Sequence, residues 1–206
     1  MVYNLSMINK KITQKNYIKN CEVYQLVIPI ETGILIPEDD SVRLLSQILE
    51  ELYYTKLNEA YSSQGRNPVV EPKILFKILV YSYMNDIYSS RKIEKACKRD
   101  INFMWLLQGN PVPDHATIAR FRSERLVDVV DDLFNQFIEK LKTYGEVEGA
   151  FGVLKEDHGF RRFLTKGKIN VKTEFTLLCF GYDINKFHNK IQNDRCKILL
   201  HEIKAS

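Results

Sequence analysis

The chain has 206 residues, 30 Lys and Arg against 26 Asp and Glu for a formal net charge of +4, and 45% hydrophobic with 27% charged positions. That is the composition of a globular chain of one or two domains, and its mild positive charge permits a nucleic-acid partner without requiring one. It excludes a membrane-spanning helix, because no apolar run approaches the roughly twenty residues that a bilayer demands, and it argues against a zinc module or disulfide scaffold, because Cys21, Cys97, Cys179 and Cys196 are far apart with no CxxC.

The N-terminus lacks the apolar region and small-residue cleavage site of a signal peptide, so a cytoplasmic, reducing location is expected, with no membrane partner. Charge is unevenly spread. Asp39 to Glu59 is acidic, whereas Met7 to Lys19, Ser90 to Arg125 and Lys155 to Lys172 are basic, which would give the molecule one preferred face for phosphates.

In chain order, residues 1–40 read as an N-terminal arm. Met1 to Asn20 is polar and lysine-rich, and Glu22, Tyr24, Leu26 and Ile28 alternate before the breaker Gly33, as in a short strand or extended arm. Asp39, Asp40 and Ser41 then cap a helix with the apolar stripe Val42, Leu45, Ile48, Leu49 and Leu52 and an acidic outer face. Pro72 suits a first helical turn, and from Ile74 to Ile87 the polar exceptions are Lys73 just before, then Lys77, Ser82, Asn85 and Asp86. A helix apolar on most of its circumference belongs in the middle of a bundle.

Ser89 to Asp100, SSRKIEKACKRD, reads as a capped helix with Ile93, Ala96 and Cys97 inward and Lys92, Lys95 and Arg99 outward. A connector, Ile101 to Pro113, carries Trp105 and Leu106, which are core by default because buried aromatics normally supply packing area. In NPVPDHATIARFRSER (Asn110 to Arg125), Pro111 and Pro113 hold the chain extended and Asp114 offers a side-chain oxygen to the amides of a new helix. Ile118 and Phe121 face its core side, while Ala116, Arg120 and Ser123 project the other way.

Between Ser90 and Arg125 there are eight Lys or Arg against four Asp or Glu. Helix, connector and second basic helix is what a helix-turn-helix DNA reader presents, although solvated basic helix pairs are common and this connector is long for that motif. On the DNA reading Arg120 is the base reader, with His115, Thr117 and Ser123 beside it. Arg91, Lys92, Lys95, Arg99 and Arg122 are the remaining DNA-binding candidates, Arg122 being equally a candidate for a structural ion pair.

Leu126 to Tyr144 continues as an amphipathic helix with Val129, Val130, Leu133, Phe134, Phe137, Ile138 and Leu141 inward, ended by Gly145. Asp128, Asp131 and Asp132 share one side of it, and a solvated acidic face accounts for them without a metal. His158 and His188 have no acid and nucleophile at a telling spacing and read as surface or capping groups.

Taken as a whole, Gly65 to Arg122 resembles the InsH-type N-terminal domain of DDE-type insertion-sequence transposases, through Arg66, Pro68, Pro72, Ser90, Arg91, Ile93, Cys97, Phe103, Trp105, Pro113, Asp114, Thr117, Phe121 and Arg122. EVEGAFGVLKEDHGFRRF (Glu146 to Phe163) resembles the C-terminal segment of the same transposases, in which a helix carries the last acid of the catalytic triad. By its VEGAFGVLK motif that acid is Glu148, and Lys155, two turns along the same face, would be a DNA-end-binding lysine. Ile169 to Gln192 resembles the family's closing helix.

The resemblance implies an RNase H-like sheet on which two aspartates and a glutamate hold two divalent ions, magnesium in the intact family. Here only twenty residues, Leu126 to Gly145, separate the two resembling regions, and the aspartate-bearing strands have no counterpart. The expectation is therefore an internally truncated transposase with Glu148 as the remnant acid, no metal site and no cofactor as it stands, and no catalysis on its own. Its expected partners are insertion-sequence ends and either a second copy or full-length transposase. The alternative is a repressor or dimerisation module acting on that full-length enzyme.

The fold expected is mainly α. Residues 41–145 would form a helical bundle with a helix-turn-helix-like region, and 146–206 a helical fragment of the RNase H-like catalytic domain. Val171, Phe175, Leu178 and Tyr182 line one side of the closing helix. Leu177, Phe180, Ile184 and Phe187 form a second apolar strip without its sheet, which would leave the segment loosely docked, mispacked or dependent on self-association.

Overall fold

The computed structural model describes residues 32–61, 70–144 and 167–194, which all belong to one compact unit. The expectations for the N-terminal arm up to residue 31, for Arg66 and Pro68, and for Glu148, Lys155 and His158 lie outside the described residues. Among the described residues there are nine α-helices and no strand, so the fold is mainly α. They are α1 (Thr32–Leu35), α2 (Ser41–Glu50), α3 (Thr55–Glu59), α4 (Pro72–Met84), α5 (Ser90–Cys97), α6 (Ile101–Leu107), α7 (His115–Arg120), α8 (Val130–Thr143) and α9 (Lys168–Gln192).

Local chemistry starts α2 where the sequence places it. The Asp40 carboxylate accepts the Val42 amide at 2.8 Å, and Val42, Leu45, Ile48 and Leu49 are buried along one stripe. Arg43 on the outer side gathers the preceding corner by donating to the carbonyls of Gly33, Ile36 and Pro37, and its guanidinium carbon lies 5.7 Å from the Trp105 ring centre. Trp105 is thus a packing residue, half-buried between α1 and that arginine.

The central helix is α4, with Pro72 in its first turn and every residue except Lys73 buried. Burial includes Lys77, 1% exposed, whose ammonium reaches Ser46 Oγ at 3.0 Å and Glu50 Oε2 at 2.5 Å. The hydrogen bonds from Lys73 and Lys77 hold the Glu50 carboxyl below its ordinary range. A lysine can occupy the core here because its stem packs as hydrocarbon while its charge meets a carboxylate at the rim.

The connector between the two basic helices is itself partly helical, which the sequence reading did not anticipate. Asp100 caps α6 by accepting the Asn102 amide, Phe103, Leu106 and Leu107 are buried, and Gln108 (φ 51°) followed by Gly109 (φ 78°) ends it in the left-handed conformation. The reading helix is also shorter than expected. After Arg120 the chain opens into a π-helical turn, Phe121–Arg125, closed by the Leu126 amide on the Phe121 carbonyl at 2.9 Å, and α8 begins only at Val130. The wider turn puts two consecutive residues, Phe121 and Arg122, into the interior.

The closing helix α9 corrects the expectation of an apolar strip without a partner. Leu177, Phe180, Ile184 and Phe187 are buried, and the Phe180 ring sits 5.3 Å from Phe76 of α4 and 5.1 and 4.7 Å from Phe134 and Phe137 of α8. Asn185 donates to the carbonyl of Met84 at 3.0 Å, and His188 Nε2 lies 2.7 Å from the Asp39 carbonyl oxygen in an exposed contact between α9 and the segment leading into α2. The strip is covered by helices of the same core rather than waiting for a sheet.

Candidate nucleic-acid interface

Residues one helical face apart on α5 have opposite fates. Ile93 and Cys97 are fully buried, and burial pushes the Cys97 thiol up to about 12, so it is a packing group rather than a nucleophile. Arg91, Lys92, Lys95, Lys98 and Arg99 are exposed. Lys98 is drawn 2.5 Å from Glu94 one turn back, whereas among the described residues Arg91, Lys92, Lys95 and Arg99 have no carboxylate within ion-pair reach. Lys92, Lys95 and Arg99, with Ala96 and Asp100, line an open hollow in the surface.

Beside this face stands α7. Asp114 accepts the Thr117 amide at 2.6 Å, and that backbone hydrogen bond holds its carboxyl below the ordinary range. Ile118 turns into the core while His115, Ala116 and Arg120 are exposed and Thr117 is half-buried. Ser123, expected beside the base reader, is half-buried in the π-helical turn, and its hydroxyl donates to the Ala119 carbonyl at 2.9 Å.

Glu94 joins the two helices. Its Oε2 accepts the His115 amide at 3.0 Å and lies 3.0 Å from His115 Nδ1, while its Oε1 takes the Lys98 ammonium. The hydrogen bond from Lys98, then that from His115, keeps the Glu94 carboxyl below its usual range. One consequence concerns anions: the amides of His115 and Thr117 at the start of α7 are already taken by the carboxylates of Glu94 and Asp114. With two of its first three amides occupied, this helix start offers little to a phosphate, which leaves side chains as the main groups to meet one. No sequence signal links Glu94 to His115 across the intervening residues, and the sequence reading missed it.

Arg122 requires a correction. It is 6% exposed, and its guanidinium donates to the Tyr88 carbonyl at 2.8 Å and to the Tyr83 hydroxyl at 3.2 Å, with Ser90 Oγ at 3.5 Å. A guanidinium committed inside the fold cannot serve as a phosphate contact, and the partners shown are neutral hydrogen-bond groups rather than the ion pair considered as its alternative. The signal was present: Ile118, Phe121 and Arg122 stand three and four residues apart, on one face of a helix.

Two of the three aspartates in and before α8 are engaged as well, while Asp128 is exposed. Asp131 pairs with Lys172 of α9, and Asp132 pairs with Lys56 of α3 while accepting from Gln136 at 2.8 Å. Among the described residues no group of three His, Cys, Asp or Glu stands close enough together to hold a metal ion, so the donors in view do not fit a pair of divalent ions. No helix among them is long and apolar enough to cross a membrane.

Comparison with known families bears on both halves of this unit. Residues 31–124 match the transposase domain (DUF772), a span running from α1 into the π-helical turn, and residues 132–188 match the transposase DDE domain, a span taking in most of α8 and α9. No curated protein and no solved structure gives a match. With these two domains following one another, and the second only partly covered, the chain belongs to the DDE-type insertion-sequence transposases.

Proposed function

We infer a transposition-related role from the two transposase-family domains. We propose that within this role it is a DNA-binding protein for insertion-sequence ends that does not itself carry out strand transfer. The observation that carries the reading is the exposed basic row Arg91, Lys92 and Lys95 on α5, with Arg99 just past its end, on a helix tied through Glu94 and His115 to α7, which carries the exposed Arg120. Exposed cations with no carboxylate partner among the described residues supply the sequence-independent attraction to phosphates, and an arginine on the adjoining helix can offer two parallel donors to a guanine edge. The three helices α5, α6 and α7 take the place of the two-helix reader that the sequence suggested.

The lack of strand transfer is supported by the chain between the two matches. Residues 125–131 alone separate them, and α8 begins within that stretch, which leaves no room for the aspartate-bearing strands of the catalytic sheet; of the two aspartates in the stretch, Asp131 on α8 is paired with Lys172 and Asp128 is exposed. A protein that kept the end-binding surface and lacked this chemistry would compete with full-length transposase for the same ends.

The test is a gel-shift series at several salt concentrations on duplexes carrying the ends of the element and on scrambled duplexes. Each phosphate neutralised should steepen the fall of log affinity with log salt by about 0.9, so Lys95→Ala or Arg99→Ala should weaken binding to both DNAs and flatten that slope by about one unit. Arg120→Ala should cost about 1–3 kcal/mol on the ends and little on scrambled DNA. Equal binding of both DNAs by wild type and Arg120→Ala would instead mark α7 as part of a protein interface.

A further inference from the structure

We infer that Arg122 is a positioning residue that locks α5 against α7, so that the phosphate-facing and base-facing helices meet a duplex as one rigid surface; this rests on the DNA-binding reading above. The α7 helix spans six residues and α5 eight, both too short to be stable by their own hydrogen bonds, so their orientation comes from the packing of Ile93, Cys97 and Ile118 and from what holds their ends. At the N-terminal end of α7 the tie is Glu94 of α5 on the His115 amide and ring. At the other end, where α7 opens into the π-helical turn, the tie is Arg122.

The acceptors of Arg122 show what it fixes. Tyr88 O belongs to the turn leading into α5, Ser90 is the first residue of that helix, and the Tyr83 hydroxyl comes from the last turn of α4. The Tyr83 and Tyr88 rings meet edge to face, with centres 5.2 Å apart, and wall the site. One planar guanidinium therefore bridges the end of the reading helix, the start of the basic helix and the central helix of the core. Ile118 seats α7 in the core and Glu94 holds its first residue, which leaves the far end as the part still to be fixed. A tie at that far end fixes how α7, and hence Arg120, is presented relative to the basic side of α5. Lysine cannot reproduce this, because a single ammonium lacks the planar fork of donors that reaches several acceptors at once.

The experiment compares wild type, Arg122→Met and Arg122→Lys in the full chain by two readouts. The first is amide hydrogen exchange without DNA. The second is binding, as a function of salt, to a duplex carrying the terminal sequence of the element and to a scrambled duplex of equal composition. In Arg122→Met, exchange should quicken in α5 and α7 while α4 and α9 keep their protection. Affinity for the terminal sequence should fall about tenfold or more, the size of one lost base contact. Affinity for scrambled DNA should stay within about twofold with its salt slope unchanged, since no phosphate contact is removed. Arg122→Lys should fall between the two, and it carries the same readouts should the methionine variant fail to fold.

Three results would overturn the inference. A slope reduced by about one unit on both DNAs would show a phosphate contact. Unchanged exchange in α5 and α7 would show that the clamp holds nothing. Quickened exchange with an unaltered preference for the terminal sequence would show a role in stability alone. A wild type that fails to distinguish the duplexes overturns the DNA reading beneath the inference, and it does so without reference to either variant.

Discussion

A Cβ atom on Gly181 would lie 2.8 Å from both the Cα and the backbone nitrogen of Met84, so α9 crosses the last turn of α4 at backbone contact. Around that crossing Asn185 donates to the Met84 carbonyl, and Phe180, next in sequence, enters the cluster of Phe76, Phe134 and Phe137. The segment matching the DDE domain is thereby joined to the helix at the centre of the segment matching the transposase domain.

Gly181→Ala should lower stability. Alanine gains about 1 kcal/mol over glycine as a helix former. Overpacking costs about 1–3 kcal/mol, and because the obstacle is backbone and not a movable side chain, the upper part of that range is expected and outweighs the gain. The urea midpoint checks this, and an unchanged or raised midpoint would mean that the two helices do not touch there.

Glu50 and Lys77 should be coupled. Glu50→Gln leaves the buried Lys77 ammonium with Ser46 and a neutral amide; because Glu50 is half exposed and screened by water, a loss of about 1–3 kcal/mol is expected and not the larger penalty of a fully buried pair. Lys77→Met replaces the charge with a side chain of similar length and should be close to neutral. The double variant should then lose little beyond Lys77→Met alone, a coupling that a double-mutant cycle of unfolding free energies reads directly.

The tie between α5 and α7 should weaken in acid. A carboxylate whose folded pKa is depressed contributes stability above its unfolded value, and that contribution disappears as pH falls through the folded value. Glu94 is held below its ordinary value by Lys98 and then His115, and Asp114 by the Thr117 amide, so both contacts persist at neutral pH and are lost as acid carries each carboxyl through its lowered folded value. Amide exchange followed by NMR should show the His115 amide losing protection with acid in the wild type and already unprotected in Glu94→Ala, while the Thr117 amide keeps its acid response in both. Identical His115 profiles in the two proteins would remove Glu94 from the role.

With magnesium or manganese, the purified chain should neither nick nor join DNA carrying the element's ends, and Glu148→Ala should change nothing. Strand transfer by this family's chemistry needs carboxylates from three places around two ions, and a lone acid cannot assemble them. Metal-dependent cleavage that Glu148→Ala abolishes would show a working site.

The sequence by itself determined those features whose physics is complete within a few residues. Asp40 and Asp114 cap α2 and α7 because each side chain reaches an amide only two or three positions on. The apolar stripe of α2 and the all-round apolar α4 follow from periodicity alone, and the exposure of Lys92, Lys95 and Arg99 follows from the burial of Ile93 and Cys97 on the opposite side. The family, too, was legible from motifs scattered along the chain. Tertiary structure decided the rest. INFMWLL is too uniformly apolar to display a helical period, so α6 became visible only through its cap and its buried face. Arg122 shares a face with Ile118 and Phe121, but whether an arginine on an inward face is clamped or expelled depends on acceptors supplied by Tyr83, Tyr88 and Ser90, more than thirty residues earlier. The same holds for Glu94 against His115 and for the strip on α9. An apolar or charged side chain specifies that a partner is needed, and only packing in three dimensions selects which one it receives.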